Sequence, residues 1–306
     1  MIRFSSTALF AKGMAMGVAD LVPGVSGGTV ALITGIYGEL LESIKSIDGN
    51  ALKTLRRDGI SAAWCAINGS WLTTLLAGML TSAVLLAGLI DYLLNAYGLQ
   101  LWSFFSGVIG ASAVLLLRRY RPTYWHHWFL LIFGVHAALA LSTLPPMALQ
   151  GGYTSLFFAG SVACCAMILP GLSGTLILVA LGLYPTIIAA IAHFQLDILA
   201  VFGAGGILGL LLFSRLLSWL MRVHQTALMA TMCGFLIGSL NLVWPWRYRP
   251  EFADEPSSPV GMINLLPKQY TELAQIDPAT TECLAFALLG LLLVAGFDYV
   301  SLRSEG

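Results

Sequence analysis

A short motif rich in proline and glycine interrupts an apolar part of the chain and returns 147 residues later. The first copy reads Pro-Gly-Val-Ser-Gly-Gly-Thr at residues 23–29, and the second reads Pro-Gly-Leu-Ser-Gly-Thr at residues 170–175. The match continues without a gap, since Gly-x-Tyr follows both motifs at the same distance. A repeat at a fixed offset predicts two homologous halves, which we assign to residues 1–150 and 151–306.

The surroundings of both motifs are strongly apolar. Hydrophobic residues make up 58% of the 306 residues and charged residues 10%, whereas soluble domains carry about 25% charged residues. Several apolar runs, near residues 71–90, 101–117, 198–212 and 283–297, approach the length of about 20 residues that a spanning helix needs. The sequence therefore predicts an all-α polytopic membrane protein. Its formal net charge of zero gives no indication of a nucleic-acid partner.

Each motif lies in a segment of unsuitable length for ordinary crossings. The arms of the first segment, residues 14–22 and 30–44, would measure about 13 and 22 Å as helices, less than the hydrocarbon thickness of about 30 Å. We therefore predict that each half contains a re-entrant helical hairpin followed by three transmembrane helices. Irregular backbone at this depth is tolerated only where protein or a wet cavity surrounds it.

The basic residues predict an orientation. With both termini in the cytoplasm, 12 of the 15 Lys and Arg residues lie on the cytoplasmic side, as the positive-inside rule requires. The other three are Arg247, Arg249 and Lys268, in a predicted external loop at residues 247–280. The two hairpins then enter from opposite sides, which makes the halves inverted repeats, an arrangement typical of transporters. We interpret Trp244 and Trp246 as part of the external aromatic belt.

The second arm of each hairpin begins directly after its glycines. A helix start has unpaired N–H groups and a partial positive charge, and it therefore favours an anion such as phosphate. The alternative is that these small residues only form the turn and allow close helix packing. The candidate phosphate-binding residues are Gly24, Ser26, Gly27, Gly28, Thr29, Gly171, Ser173, Gly174 and Thr175.

Charged residues near this predicted site have more than one interpretation. Asp20 either binds a coupling cation or proton, or accepts hydrogen bonds from the N–H groups of the turn; its protonation could then gate phosphate binding. Glu39 is a second candidate for coupling, although an interfacial role is favoured. Arg118 and Arg119 are candidates for attracting phosphate at the cytoplasmic face, or are ordinary positive-inside anchors. No arginine is clearly located at mid-membrane, so backbone groups would supply most of the binding.

Three segments carry a resemblance to a known family: Gly17–Ile44, Ile168–Tyr184 and Gly234–Trp246. Together they resemble the PopT-type undecaprenyl phosphate translocases over nearly the whole chain. The resemblance implies a protein of the bacterial inner membrane that returns undecaprenyl phosphate from the outer to the cytoplasmic leaflet, so that this carrier lipid is reused in envelope synthesis. The second motif lacks one glycine of the first, which indicates that the two half-sites are not equivalent.

Two other classes of function compete with this interpretation. An ion-coupled transporter of a small soluble anion would also use paired anion sites. An intramembrane enzyme such as a lipid phosphatase has no support, because the sequence contains no nucleophile and base at a recognisable spacing. The five cysteines show no zinc-type spacing, and we expect no metal or cofactor. A bundle of this size is compatible with either a monomer or a homodimer.

Overall fold

The structure is a computed structural model, and it describes residues 5–22, 25–143, 152–248 and 262–304. Helices dominate these residues, as the sequence predicts. The first half contains α1 Ser6–Leu21, α2 Gly27–Ile33, α3 Tyr37–Lys45, α4 Gly49–Ala66, α5 Gly69–Ala96, α6 Gly98–Arg119 and α7 Trp125–Thr143. The second half contains α8 Tyr153–Ile168, α9 Gly174–Ala180, α10 Tyr184–Ala192, α11 Leu196–Val223, α12 Gln225–Ser239, β1 Arg247–Tyr248, β2 Ile263–Asn264, α13 Pro267–Ala274 and α14 Thr280–Ser304.

Within the described residues, five helices are long and apolar enough to cross a membrane, namely α5, α6, α7, α11 and α14. The sixth predicted crossing is α12, which is apolar but has only 15 residues. At 1.5 Å per residue it is about 22 Å long. The all-α polytopic class is therefore confirmed, and the chain is an integral membrane protein.

Both motifs interrupt the helices where the sequence predicts. Helix α1 ends at Leu21 and α2 begins at Gly27, while α8 ends at Ile168 and α9 begins at Gly174. The two helices on either side of each break pack against one another. This packing is expected for a hairpin.

The second arms differ from the prediction, which made each of them a single helix. Each arm is broken into two short helices by a glycine with positive φ, Gly35 at +74° and Gly182 at +71°. At both breaks the next residue closes the turn with an equivalent bond: Ile36 N–H donates to Ala31 and Leu183 N–H to Leu178, each at 3.0 Å. Glycine adopts this left-handed conformation without steric cost. As a result, α9 and α10 meet at 115°.

The helices pack in pairs that recur between the halves. Helix α1 packs on α5, and its counterpart α8 packs on α11; α6 packs on α14, and α7 on α12. Gly13 of α1 and Gly160 of α8 occupy equivalent positions, and a Cβ atom at either would collide with backbone of the partner helix. These close approaches fit two related halves, whereas the inversion of one half relative to the other stays a prediction.

The segment after α12 folds back towards the bundle. Its short strands β1 and β2 pair in antiparallel orientation. The indole N–H of Trp244 donates to the carbonyl of Leu265, and that of Trp246 donates to the carbonyl of Pro278, both at 2.8 Å. Trp246 is buried, so its interpretation as an aromatic-belt residue is wrong. Its ring anchors this segment against the protein instead.

Candidate functional site

A cavity of about 710 Å³ lies between the hairpin tips and one end of the helix bundle. Asp20 and Thr175 contribute to its lining from the two hairpins. The turn between α5 and α6 contributes residues between 94 and 102, and the segment between α12 and α14 contributes a further set. The remaining described lining residues belong to the hairpins, namely Leu21, Leu176, Val179 and Tyr184. The cavity thus connects both motifs with the polar segment in which the sequence indicated no function.

Asp20 lies at the end of α1, beside the cavity. Its Oδ1 atom accepts a hydrogen bond of 2.7 Å from the backbone N–H of Gly27, the first residue of α2. This contact is one of the two roles that the sequence left open for Asp20. A carboxylate at this position is favourable, because the first N–H groups of a helix have no partner within the helix.

The other residues of the first motif are buried against the second hairpin. The Ser26 hydroxyl accepts from the N–H of Gly28 at 3.2 Å and donates towards the carbonyls of Met167 and Leu169, at 3.2 and 3.3 Å. A Cβ atom on Gly28 would lie 2.5 Å from the carbonyl oxygen of Ile168. The alternative interpretation of these small residues, close packing, therefore describes the first motif well.

A further contact connects the two tips. The Thr29 hydroxyl is buried and accepts from the N–H of Gly171 at 3.1 Å. Gly171 has φ +83°, and a Cβ atom there would collide with the backbone of α12 at Leu236. Ser26 and Thr29 thus bind one hairpin to the other, and neither belongs to the lining of the cavity.

The second motif is more open towards the cavity. The hydroxyl groups of Ser173 and Thr175 lie 2.6 Å apart, and Ser173 forms no capping bond to α9. Gly174 packs against the side chain of Met167. Thr175 is exposed to the cavity, so it is the predicted phosphate-binding residue that reaches this space within the described part of the chain. Gly24 lies outside the described residues.

The remaining predicted residues lie elsewhere. Glu39 is half-buried and accepts a bond of 3.4 Å from the side-chain amide of Asn68. Arg118 and Arg119 are exposed on the last turn of α6. Since the first turn of α6 lines the cavity, its 22 residues separate these arginines from the cavity by about 33 Å.

The cavity also contains Arg247, a residue for which the sequence predicted no function. It is half-buried and lines the same cavity as Asp20 and Thr175 of the hairpins. Its guanidinium donates to the carbonyl of Leu242, and its Cζ atom lies 6.0 Å from the ring centroid of Trp102. The sequence shows only an arginine at the start of a polar loop, and the fold of that loop back over the cavity is not visible in a helix pattern.

Potential metal ligands do not cluster in the described residues: no group of three or more His, Cys, Asp or Glu side chains could hold an ion there. The polar groups of the described lining residues are instead hydroxyls, carboxylates, amides and a guanidinium. Leu94, Leu99, Leu176 and Val179 provide apolar walls between them. The arrangement is therefore suited to a ligand with both an anionic and an apolar part.

Comparison with known proteins places this architecture in a family. Residues 16–259 match the model of a family described as undecaprenyl phosphate translocase-like. A polyprenyl-phosphate transporter of Vibrio cholerae is 39% identical over 94% of this chain and 95% of its own length. A protein of the same description from Staphylococcus aureus is 31% identical over 76% of this chain and 84% of its own length. No solved structure matches the chain. The chain belongs to the undecaprenyl phosphate translocase-like family.

Proposed function

We propose that the protein is a transporter that moves undecaprenyl phosphate, or a closely related polyprenyl phosphate, from the outer to the cytoplasmic leaflet of the bacterial inner membrane. It would thereby return the carrier lipid to the side where envelope precursors are assembled. The family supports this lipid class, since two bacterial relatives are described as polyprenyl-phosphate transporters. We infer the direction of transport from the predicted orientation of the cavity in the membrane.

The observation that carries the proposal is the cavity between the hairpin tips and the 247–280 segment. Its volume of about 710 Å³ lies in the range of about 300–1,000 Å³ that small-molecule sites usually occupy. A phosphate group alone needs far less space, so the cavity also has room for the first isoprenoid units. The apolar walls suit these units, and the polar groups suit the phosphate.

The positive-inside rule supports an outward-facing cavity. Arg118 and Arg119 lie at the end of α6 that is remote from the cavity. Lys53, Arg56 and Arg57 belong to α4, which precedes α5, and the far end of α5 borders the cavity at Leu94. Basic residues accumulate on the cytoplasmic side of membrane proteins. The cavity then opens towards the outer leaflet, where the lipid is collected.

The hydrogen bonds between the hairpins form the barrier in this proposal. Ser26 and Thr29 attach the first hairpin to the second beside the cavity. When the tips separate, Ser26, Thr29 and the glycine amides of both motifs would become available to the phosphate group. In this proposal, the predicted phosphate-binding residues would therefore contact the phosphate only after it has entered the cavity and the tips have separated. Thr175 would contact the phosphate first.

The test is transport of a fluorescent polyprenyl phosphate across the bilayer of proteoliposomes, measured by leaflet-selective quenching. Thr175→Phe fills part of the cavity and should reduce the transport rate by at least about tenfold, since a bulky ring there excludes the head group. Thr73→Phe is the matched control, because Thr73 is exposed on α5 outside the cavity lining.

Transport by the wild type no faster than in protein-free vesicles, with or without an ion gradient, would contradict the proposal. Transport of inorganic phosphate without transport of the lipid would favour the soluble-anion alternative. Equal loss of activity in both phenylalanine variants would indicate that the cavity has no special role.

A further inference from the structure

Backbone contacts with the paired strand and with the residues just before it set the position of Arg247. Arg247 pairs with Asn264 in the two-stranded sheet, and its own N–H donates to the carbonyl of Pro245 at 3.1 Å. The neighbouring Trp246 accepts from the N–H of Leu265 at 2.9 Å through its carbonyl, and its indole is anchored to Pro278. These contacts fix the backbone of Arg247 at the edge of the cavity.

The guanidinium group is oriented by its neighbours. It donates to the carbonyl of Leu242, just after α12, and lies 6.0 Å from the ring centroid of Trp102 on α6. A guanidinium beside an aromatic face is favoured by cation–π attraction, and it loses less conformational freedom when it binds a ligand. Arg247 is therefore partly pre-organised in the cavity that Thr175 also lines.

Arg247 is a positive charge in a cavity whose lining also carries two carboxylates. The charged side chains among the described lining residues are Asp20, Asp277 and Arg247. Asp20 accepts from Gly27, and Asp277 accepts from the N–H of Ala279 at 3.0 Å. Without Arg247 these two carboxylates would repel a phosphate. In surroundings of low dielectric constant such repulsion is much stronger than in water.

We propose that Arg247, an arginine of the 247–280 segment, binds the phosphate monoester of the lipid in the cavity and positions it against the hydroxyl of Thr175. This inference rests on the proposed function and adds the residue that selects the head group. A guanidinium offers two parallel N–H donors to two phosphate oxygens, which a lysine ammonium cannot reproduce. The apolar walls hold the first isoprenoid units, so an isoprenoid alcohol without phosphate binds weakly.

The purified full-length protein, titrated by calorimetry with farnesyl phosphate, farnesol and inorganic phosphate, tests this inference. Arg247→Gln should weaken farnesyl phosphate binding by at least about tenfold, as expected for loss of a charge-assisted hydrogen-bond pair. Lys268→Gln is the matched control, because it removes a positive charge from the same segment at an exposed position outside the cavity lining. Its affinity should stay within about twofold of the wild type.

The outcomes separate the inference from the function. If Arg247→Gln binds farnesyl phosphate as tightly as the wild type, Arg247 is not the phosphate-binding residue, while the proposed function is unaffected. If the wild type binds no farnesyl phosphate, the proposed function falls and the inference falls with it. If inorganic phosphate binds as tightly as farnesyl phosphate, the cavity is a site for free anions. This result would overturn the proposal that the cavity recognises the lipid.

A purely structural role for Arg247 is distinguished by a second variant. If Arg247→Gln does not fold, Arg247→Lys retains the charge and one donor, and thermal unfolding checks its stability. At unchanged stability we expect its affinity for farnesyl phosphate to fall by about threefold or more, because the bidentate contact is lost. Unchanged affinity in this variant would overturn bidentate binding by Arg247.

Discussion

In the first hairpin tip, residues 25–29 are buried in contacts with the other hairpin, whereas the second tip, residues 167–176, presents a hydroxyl to the cavity. In the first tip, Ser26 and Thr29 are buried and bonded across to the other hairpin. In the second tip, Thr175 is exposed to the cavity and bonded only to Ser173 among the described contacts. Nearly identical motifs thus serve two purposes: the first tip fastens the hairpins together, and the second lines the cavity.

Two pairs of equivalent positions explain this difference. At the 147-residue offset, Gly28 corresponds to Thr175 and Asp20 corresponds to Met167. Gly28 lacks a side chain because the backbone of Ile168 lies against it, whereas the position of Thr175 has space. Asp20 binds the first N–H of α2 through its carboxylate, whereas Met167 has no such acceptor and packs on Gly174 instead. An anionic ligand would therefore meet less repulsion near the second tip.

The largest expected effect comes from making the first tip like the second. Gly28→Thr would place a Cβ atom 2.5 Å from the Ile168 carbonyl oxygen. The backbone of Ile168 cannot easily move away. We therefore expect the free energy of unfolding to fall by about 3 kcal/mol, or the variant to fail to fold. Thermal unfolding of the purified protein measures this change. The reciprocal Thr175→Gly should cost less than about 1 kcal/mol while reducing transport, and an equal cost at both positions would remove the proposed asymmetry.

An intermediate effect is expected at Asp20. Asp20→Met copies the second hairpin and leaves the N–H of Gly27 without its carboxylate, which should cost about 1–2 kcal/mol. Asp20→Asn retains an oxygen acceptor and should stay within about 0.5 kcal/mol of the wild type. Thermal unfolding compares the two variants, and equal losses would contradict the capping role.

The same pair of variants tests the gating hypothesis for Asp20. If protonation of its carboxyl removes repulsion of the phosphate, wild-type transport rises as pH falls, and Asp20→Asn abolishes this dependence. An unchanged pH profile in Asp20→Asn would leave Asp20 with a structural role alone.

The smallest expected effect distinguishes the two serines. Ser26→Ala removes a cap and a bond between hairpins, and should cost about 1 kcal/mol. Ser173 makes no capping bond, so Ser173→Ala should cost about 0.3 kcal/mol or less. Chemical denaturation in detergent resolves this difference. A cost for Ser173→Ala equal to that of Ser26→Ala would show that both motifs act in the same structural way.

Prediction from the sequence succeeded where local chemistry decides the outcome. Proline and glycine within an apolar run break helices in any surroundings, so both interruptions were correctly located. The breaks at Gly35 and Gly182 were missed, although both glycines were recognised as part of the repeat. An isolated glycine is tolerated within a helix, and only the packing around it decides whether it adopts positive φ.

The candidate site was predicted in part. Thr175 and Asp20 do border the cavity, but the sequence predicts phosphate binding by Ser26 and Thr29 as well, and these two residues bind the other hairpin instead. Whether a hydroxyl faces a ligand or a neighbouring carbonyl depends on which helices approach it, and periodicity contains no such information. Arg247 was missed because polar loops have no regular pattern that would place their side chains.

By itself, the sequence determined that the chain lies in a membrane and is helical, that it repeats a motif, and where the two interruptions are. These properties follow from composition and local backbone preference, which act over a few residues. Only the tertiary structure decided that the first tip is fastened to the second, that Thr175 is left at the cavity, and that Arg247 lines the same cavity. Each of these outcomes depends on contacts between segments distant in the chain, where shape and hydrogen bonding decide between similar motifs.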